Sequence, residues 1–299
     1  MSRVLREPHD VRAALAASPQ RPPCGAVLMA EPTHFRVESV INPWMADASG
    51  NLNQVDPARA LEQWQSLQGS YESMGIRVEV IGAQHGLPDF CFSANQSLTF
   101  RDARGRRACI ISHMRSETRV PETPWFEHWY REHGFIVHRM SADIRPFEGT
   151  GDAIWHHGRR LLWGGVGPRT ADQAWELVAR ITLAPVIPLH LVDARFYHLD
   201  TCLCVLNEHA ALYVPEAFDE ASLARLHFGF RNLIPVTPEE AANFACNAHC
   251  PDDHNVLIQQ GSPRTVAALL ENGFAVTELD TSEFMKSGGS VFCLKQELP

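Results

Sequence analysis

The chain has 299 residues, enough for one large domain or two modest ones, and its 45% hydrophobic and 20% charged residues match a globular protein with a sizeable core. A formal net charge of −9 argues against a general affinity for nucleic acid or for an anionic membrane. No apolar run reaches membrane-spanning length, and Met1-Ser2-Arg3-Val4-Leu5-Arg6-Glu7 lacks the apolar core of a signal peptide.

Along the chain a rhythm of hairpin, helix and strand repeats. The first unit reads as a strand at Ala26–Met29, a helix over Pro57–Met74 and a strand at Val78–Ile81. Leu98–His113 then reads as a hairpin turning at Asp102-Ala103-Arg104-Gly105, followed by a helix over Pro124–Glu132 and a strand at Phe135–Arg139. The next hairpin, Asp152–Trp163, turns at His157-Gly158; its helix covers Thr170–Ile181 with Thr170 as N-cap, and its strand is Val186–Leu189. A fourth cycle has a hairpin over Thr201–Val214, a helix over Pro215–Leu226 and a strand at Asn232–Val236. In the fifth, Asn255–Gln259 and Phe274–Glu278 flank a helix over Ser262–Glu271 that stops at Asn272-Gly273. A last strand over Ser290–Lys295 is expected to pair with the first unit and close a ring. Five units of this size suggest propeller-like repetition, with a three-layer α/β sandwich as the competing architecture. No interdomain linker or low-complexity tract interrupts residues 1–299, so one catalytic domain is expected.

The eight cysteines are scattered, which favours free thiols in a reducing compartment, hence the cytoplasm. One of them stands apart. Gly288-Gly289-Ser290-Val291-Phe292-Cys293 places a thiol just behind a glycine pair, whereas a cysteine is more usually an inert core residue. Upstream lie Phe147-Glu148-Gly149-Thr150-Gly151-Asp152 and Tyr197-His198-Leu199-Asp200-Thr201. A Cys, a His and acids held close are the parts of an activated-nucleophile enzyme: the thiolate attacks, the imidazole moves protons, and the acids orient the imidazole or hold a cation. Asp200, two residues after His198, shares its face if the segment is a strand. Cys202-Leu203-Cys204 with Cys246-Asn247-Ala248-His249-Cys250 makes an alternative structural zinc cluster, although neither spacing is a standard zinc knuckle. There is no dinucleotide fingerprint, and Gly164-Gly165-Val166-Gly167 lacks the lysine of a phosphate loop. No cofactor and no metal are expected, and a homo-oligomer is left open.

These segments, with Met29-Ala30-Glu31-Pro32-Thr33-His34-Phe35, Val40-Ile41-Asn42-Pro43-Trp44-Met45 and Phe92-Ser93-Ala94-Asn95, resemble the guanidine-modifying enzyme superfamily of arginine deiminases, dimethylarginine dimethylaminohydrolases, amidinotransferases and arginine dihydrolases. The Asn-Pro-Trp-Met and Ser-Ala-Asn segments look most like the arginine-dihydrolase branch. The resemblance implies a pentein-type fold, a five-unit pseudo-symmetric α/β propeller with a central site, and a small guanidino substrate. It implies Cys293 as nucleophile, His198 as acid and base, and Glu148 as the acid against the His or the substrate. Asp200 and Asp152 would hold the guanidinium, a planar fork of donors suited to carboxylates. Arg169, with Arg115 or Arg119 as a second, resembles the arginine that binds the substrate α-carboxylate. Asn42 matches an asparagine of the dihydrolase branch. Asn95 stands where deiminases carry an aspartate, so one ion pair is missing and a neutral ureido group is better accommodated. A hydrolase on the guanidino carbon is the leading expectation, ahead of an amidinotransferase and a non-catalytic binding protein of similar shape.

Overall fold

A computed structural model describes residues 3–299. It contains α1 (Pro8–Ala17), β1 (Ala26–Ala30), α2 (Pro57–Ser73), β2 (Arg77–Ile81), β3 (Ser97–Arg101), β4 (Arg107–Ile111), α3 (Thr123–Glu132) and β5 (Ile136–Arg139). There follow β6 (Ala153–Trp155), β7 (Leu162–Val166), α4 (Ala174–Thr182), β8 (Val186–His190), β9 (Leu203–Val205), β10 (Ala210–Tyr213), α5 (Glu220–Gly229) and β11 (Asn232–Pro235). The last stretch holds α6 (Pro238–Ala242), β12 (Asn255–Gln259), α7 (Pro263–Glu271), β13 (Ala275–Leu279), α8 (Ser282–Met285) and β14 (Gln296–Leu298). The result is an α/β fold. Among the described residues, no helix is long and apolar enough to cross a membrane.

The strands form five small sheets ordered β14-β1-β2, β3-β4-β5, β6-β7-β8, β9-β10-β11 and β12-β13. In the first four, the first strand pairs antiparallel with the second, and the second pairs parallel with the third. A parallel pair needs a crossover, and α2, α3, α4 and α5 supply it in turn; α7 does so between β12 and β13. The missing antiparallel partner of β12 survives as a bridge between His249 and Leu257. Several sheets grade from a buried strand to a wetter one, although β8 stays almost wholly buried. The second strands β1 and β10 are buried throughout, whereas β2, β5 and β13 are partly exposed.

Local chemistry explains most helix starts. Asp56 accepts from the backbone N–H groups of Ala58 and Arg59 ahead of α2, whose first residue is Pro57. Asp219 does the same for Ser222, so α5 begins at Glu220, not at Pro215, and a separate turn occupies Pro215–Ala217. Thr170 is not an N-cap: α4 starts at Ala174, and the Thr170 hydroxyl instead donates to Asp152 Oδ2 at 2.7 Å. The expected strand over Ser290–Lys295 is also displaced. Residues 290–294 curl, with Leu294 N–H donating to Ser290 O, and the strand that pairs with β1 is Gln296–Leu298.

The turn just ahead of each sheet's innermost strand is tied to the next turn. Ala94 N–H donates to Cys293 O at 3.2 Å, and Thr150 N–H donates to Ala94 O at 2.8 Å. Leu199 N–H donates to Asp152 Oδ1 at 2.9 Å, Asn247 Nδ2 to Asp200 O at 3.0 Å, and Phe292 N–H to Asn247 O at 2.9 Å. The series closes on itself.

The packing between sheets is tight. A Cβ on Gly229, at the end of α5, would fall inside the buried Trp163 ring of β7. Ala ordinarily improves a helix by about 1 kcal/mol over Gly. Overpacking a core costs about 1–3 kcal/mol, so the clash outweighs the propensity. Gly229→Ala is therefore expected to lower the urea midpoint; an unchanged or higher midpoint contradicts the packing described.

Candidate active site

The five linked turns hold the chemistry. Asn95 lies two residues before β3, Glu148 and Asp152 just before β6, His198 and Asp200 before β9, and Cys293 before β14. A narrow cavity opens onto them. It is lined by Asn42, Asp89, Asn95, Arg119, Arg169 and Cys293, with Ile41, Met45, Phe92, Tyr197, Ser287 and Gly289 completing its wall.

Cys293 Sγ lies 3.1 Å from Asp200 Oδ2 and 3.2 Å from Asn247 Nδ2. The thiol is buried, and burial together with the neighbouring Asp200 charge pushes it well above its ordinary value. Burial likewise pushes the Asp200 carboxyl up to about 7, against the lowering effect of its bond to the thiol and the charge of Lys295. Asp200 Oδ1 is buried with no hydrogen-bond partner. A buried thiol and a buried carboxylate thus share one proton, with one carboxylate oxygen left unsatisfied.

The second cluster is ionic. Glu148 is fully buried, and its Oε2 meets His198 Nε2 at 2.8 Å and Arg169 NH1 at 3.0 Å. Its Oε1 accepts from the backbone N–H of Arg115 at 2.9 Å. Burial pushes this carboxyl up, but the charge of Arg169 and the bond to His198 outweigh it, holding the group well below the usual carboxylate range. An ionised carboxylate only accepts, so His198 Nε2 carries its hydrogen and Nδ1 is the nitrogen left to exchange protons.

Asn95 has its orientation fixed. Arg119 NH1 lies 2.9 Å from Asn95 Oδ1, and a guanidinium can only donate, so the carboxamide oxygen faces Arg119. Arg119 is itself held by Glu122, with its Nε 2.9 Å from Oε1. Asn95 Nδ2 is left buried and without a partner. Asn42 is fully used: Oδ1 accepts from Trp44 N–H, and Nδ2 donates to Ser287 O, both at 2.9 Å. It thereby fastens the 41–45 segment over the cavity.

Two expected roles do not fit this geometry. Arg115 is exposed; its guanidinium donates to Pro168 O and does not line the cavity. Asp152 has one oxygen on Leu199 N–H and the other on the Thr170 hydroxyl, so neither is left for a ligand. Burial raises it to about 6, and it spaces two turns instead of facing a guanidinium. Arg169 lines the cavity while NH1 pairs with the buried Glu148 and NH2 donates to Ile41 O, which leaves other donors of its five-N–H fork without a protein partner. The four cysteines of the zinc alternative, Cys202, Cys204, Cys246 and Cys250, are buried in one apolar core, with Cys204 donating to Ala248 O. Among the described residues, no three His, Cys, Asp or Glu side chains converge as metal ligands.

Two site residues were not among the expected ones. Asp89 lines the cavity, takes the Ser287 hydroxyl at 3.0 Å and is raised by burial. Asn247 contacts the thiol. The asparagine stood between two cysteines and a histidine, which drew attention to metal binding instead.

A buried thiol in the wall of a small cavity, one carboxylate hydrogen-bonded to that thiol and an imidazole–carboxylate pair joined to the same wall through Arg169 can perform nucleophilic attack on a carbon carried by a cation. The N,N-dimethylarginine dimethylhydrolase family model, in its eukaryotic form, matches residues 31–298, and the chain belongs to that family. It is 37% identical over 271 residues to the bifunctional arginine dihydrolase/ornithine cyclodeaminase ArgZ of Synechocystis, covering 90% of this chain and 37% of the relative. The chain thus spans little more than a third of that relative's length. It is 34% identical to an N(G),N(G)-dimethylarginine dimethylaminohydrolase of Mycobacterium tuberculosis, over 96% of this chain and 91% of the relative. Among solved structures, the N-terminal domain of the cyanobacterial arginine dihydrolase ArgZ with bound substrate superimposes with a TM-score of 0.84 at 35% identity. That match covers 91% of this chain and 97% of the domain.

Removing the charge of Glu148 strands Arg169, and an unpaired buried charge costs about 3–5 kcal/mol. The folded Glu148 titrates below its ordinary value of 4.5. Its stabilisation is therefore present above that pH and is lost as pH falls below it. Glu148→Gln is expected to melt lower than the wild type at neutral pH, with the gap closing in acid. Equal melting at neutral pH contradicts the pairing.

Proposed function

We propose that this protein hydrolyses the guanidino carbon of arginine or a methylated arginine through a covalent Cys293 intermediate, and that arginine is carried through two hydrolyses to ornithine. The observation that carries the reading is the Cys293–Asp200 pair, whose sulfur lines the cavity, together with the His198–Glu148 pair that Arg169 joins to the same wall. Asp200 accepts from the guanidinium fork, and the arriving positive charge reverses the effect that keeps the thiol protonated. The Cys293 thiolate attacks the guanidino carbon. His198 gives a proton to the departing ammonia or amine, and a thiouronium remains on sulfur. His198 then takes a proton from water, the hydroxide adds to the same carbon, and the thiolate leaves.

Asn95 supports the dihydrolase outcome. Its oxygen is spent on Arg119, so it offers the cavity only an N–H. A guanidinium has no acceptor for that hydrogen, whereas the ureido oxygen of the first product does. The family model and the mycobacterial relative favour a second reading, in which a methylated arginine loses dimethylamine. The five sheets and their closed chain of linked turns support a five-unit propeller in a single catalytic domain. The eight free cysteines fit a reducing compartment such as the cytoplasm.

Mass spectrometry of the products from arginine, methylarginines, agmatine and guanidino acids tests the reading. Arginine is expected to give ammonia and ornithine. Cys293→Ser is expected to stay folded without turnover, since a serine hydroxyl is not appreciably ionised near neutral pH; retention of most activity would falsify the mechanism. Asn95→Asp replaces the donor by a charge beside Arg119, and a difference of roughly 1 kcal/mol shifts the citrulline-to-ornithine ratio about fivefold toward citrulline. An unchanged ratio removes Asn95 from the partitioning. A wild type that ignores arginine but releases dimethylamine selects the second reading.

The raised Asp200 gives a pH signature. Its carboxylate takes up a proton as pH falls through about 7, and the protonated acid holds a guanidinium less well. Arginine binding to the Cys293→Ser protein, followed by calorimetry, is expected to weaken as pH drops across that value. A flat profile assigns the cation to another acid.

A further inference from the structure

Asn247 is fully buried and its carboxamide is saturated. Oδ1 accepts from Ser290 N–H at 3.0 Å and Cys293 N–H at 3.2 Å. Nδ2 lies 3.0 Å from Asp200 O and 3.2 Å from Cys293 Sγ. A backbone N–H can only donate, so Oδ1 must face Ser290 and Cys293, and Nδ2 must face the sulfur. Its backbone is held as well, N–H on Phe244 O and O on Phe292 N–H, both at 2.9 Å. The amide therefore has no rotation left to it. It presents one N–H to the thiol from the side opposite in charge to Asp200.

The two neighbours of the sulfur thus act in opposite directions. Asp200 takes the S–H and disfavours the thiolate, while Asn247 donates to sulfur and favours it. When a cation engages Asp200, the Asn247 donor stays on the sulfur, beside the weaker help of the Ser290 backbone. A hydrogen bond to a charged group is among the stronger ones, and this one touches the reacting atom.

We propose that Asn247 is a catalytic residue: it stabilises the Cys293 thiolate through Nδ2 and, through Oδ1, curls residues 290–293 so that the sulfur faces the cavity. This inference rests on the reading of Cys293 as the nucleophile. Its test uses a probe that needs no guanidino substrate.

Asn247→Asp is nearly isosteric and keeps both acceptor bonds to Ser290 and Cys293 while replacing the donor at sulfur by a lone pair. Iodoacetamide alkylation of Cys293, located by peptide mass spectrometry, is read across pH. Asn247→Asp is expected to slow Cys293 alkylation at neutral pH by at least about tenfold and to move the rate profile to higher pH. Asn247→Ser keeps a short donor and acceptor, and is expected to fall between the two. A folded Asn247→Asp protein with the wild-type profile overturns the proposal. Loss of fold in both variants, seen by melting, overturns it in favour of a purely structural asparagine. A wild type that turns over no guanidino compound ends the functional reading, but leaves the alkylation profile to decide the role of Asn247.

Discussion

A carboxylate without access to water must find its compensation in the protein, and Glu148 is such a group. It takes a guanidinium from Arg169, an imidazole N–H from His198 and a backbone N–H from Arg115. Each partner is then committed elsewhere. Arg169 reaches Ile41 O at 2.6 Å and lies over the Tyr197 ring, so the charge that balances Glu148 also anchors the segment that covers the cavity. His198 has its tautomer set by the same oxygen. One buried charge thereby determines the state of the proposed base and the position of the cover, and two structural demands meet on three residues.

The strands carry almost none of the chemistry; the turns that precede them carry nearly all of it. Asn95, Glu148, His198, Asn247 and Cys293 occupy comparable places ahead of five successive sheets or, for the fifth, ahead of the His249–Leu257 bridge. Backbone in such turns is not consumed by ladder pairing, and here it is spent on the neighbouring turn. The arrangement gives each unit one variable position next to the others, so acid, base, amide and thiol are selected separately on a repeated frame.

The repeated frame was largely legible because its signals are local. Proline and aspartate at helix starts, Asn-Gly at a helix end and apolar runs between turns locate α2, α3, α7 and most strands within a few residues. Cys293, His198, Glu148 and Asp200 could be singled out by residue type and glycine context, and they come together as two hydrogen-bonded pairs, Cys293 with Asp200 and His198 with Glu148. What was not legible depends on partners distant in sequence. Thr170 looks like a cap until Asp152 claims its hydroxyl. Arg169 gives no hint in sequence that it also balances the buried Glu148. Residues 290–294 look extended, and curl because an amide 43 residues upstream in the bond to Ser290 binds two of their N–H groups. Buried Asp89 gave no pattern at all, since a lone acid before an aromatic run has the same appearance on any surface.

The pairing of β1 with β14 joins Ala26 to Leu298, and Cys293 sits three residues before β14. Its consequence lies in synthesis. A nascent chain that has already emerged through β11 possesses the proposed base and both acids but no nucleophile. The thiol follows every other residue of the proposed site along the chain and reaches it by a contact of very high sequence separation, and contacts of that kind form slowly. Ser287, Gly289 and Cys293 of the cavity wall are still missing at that stage, so the cavity and its thiol are completed together, when β14 meets β1.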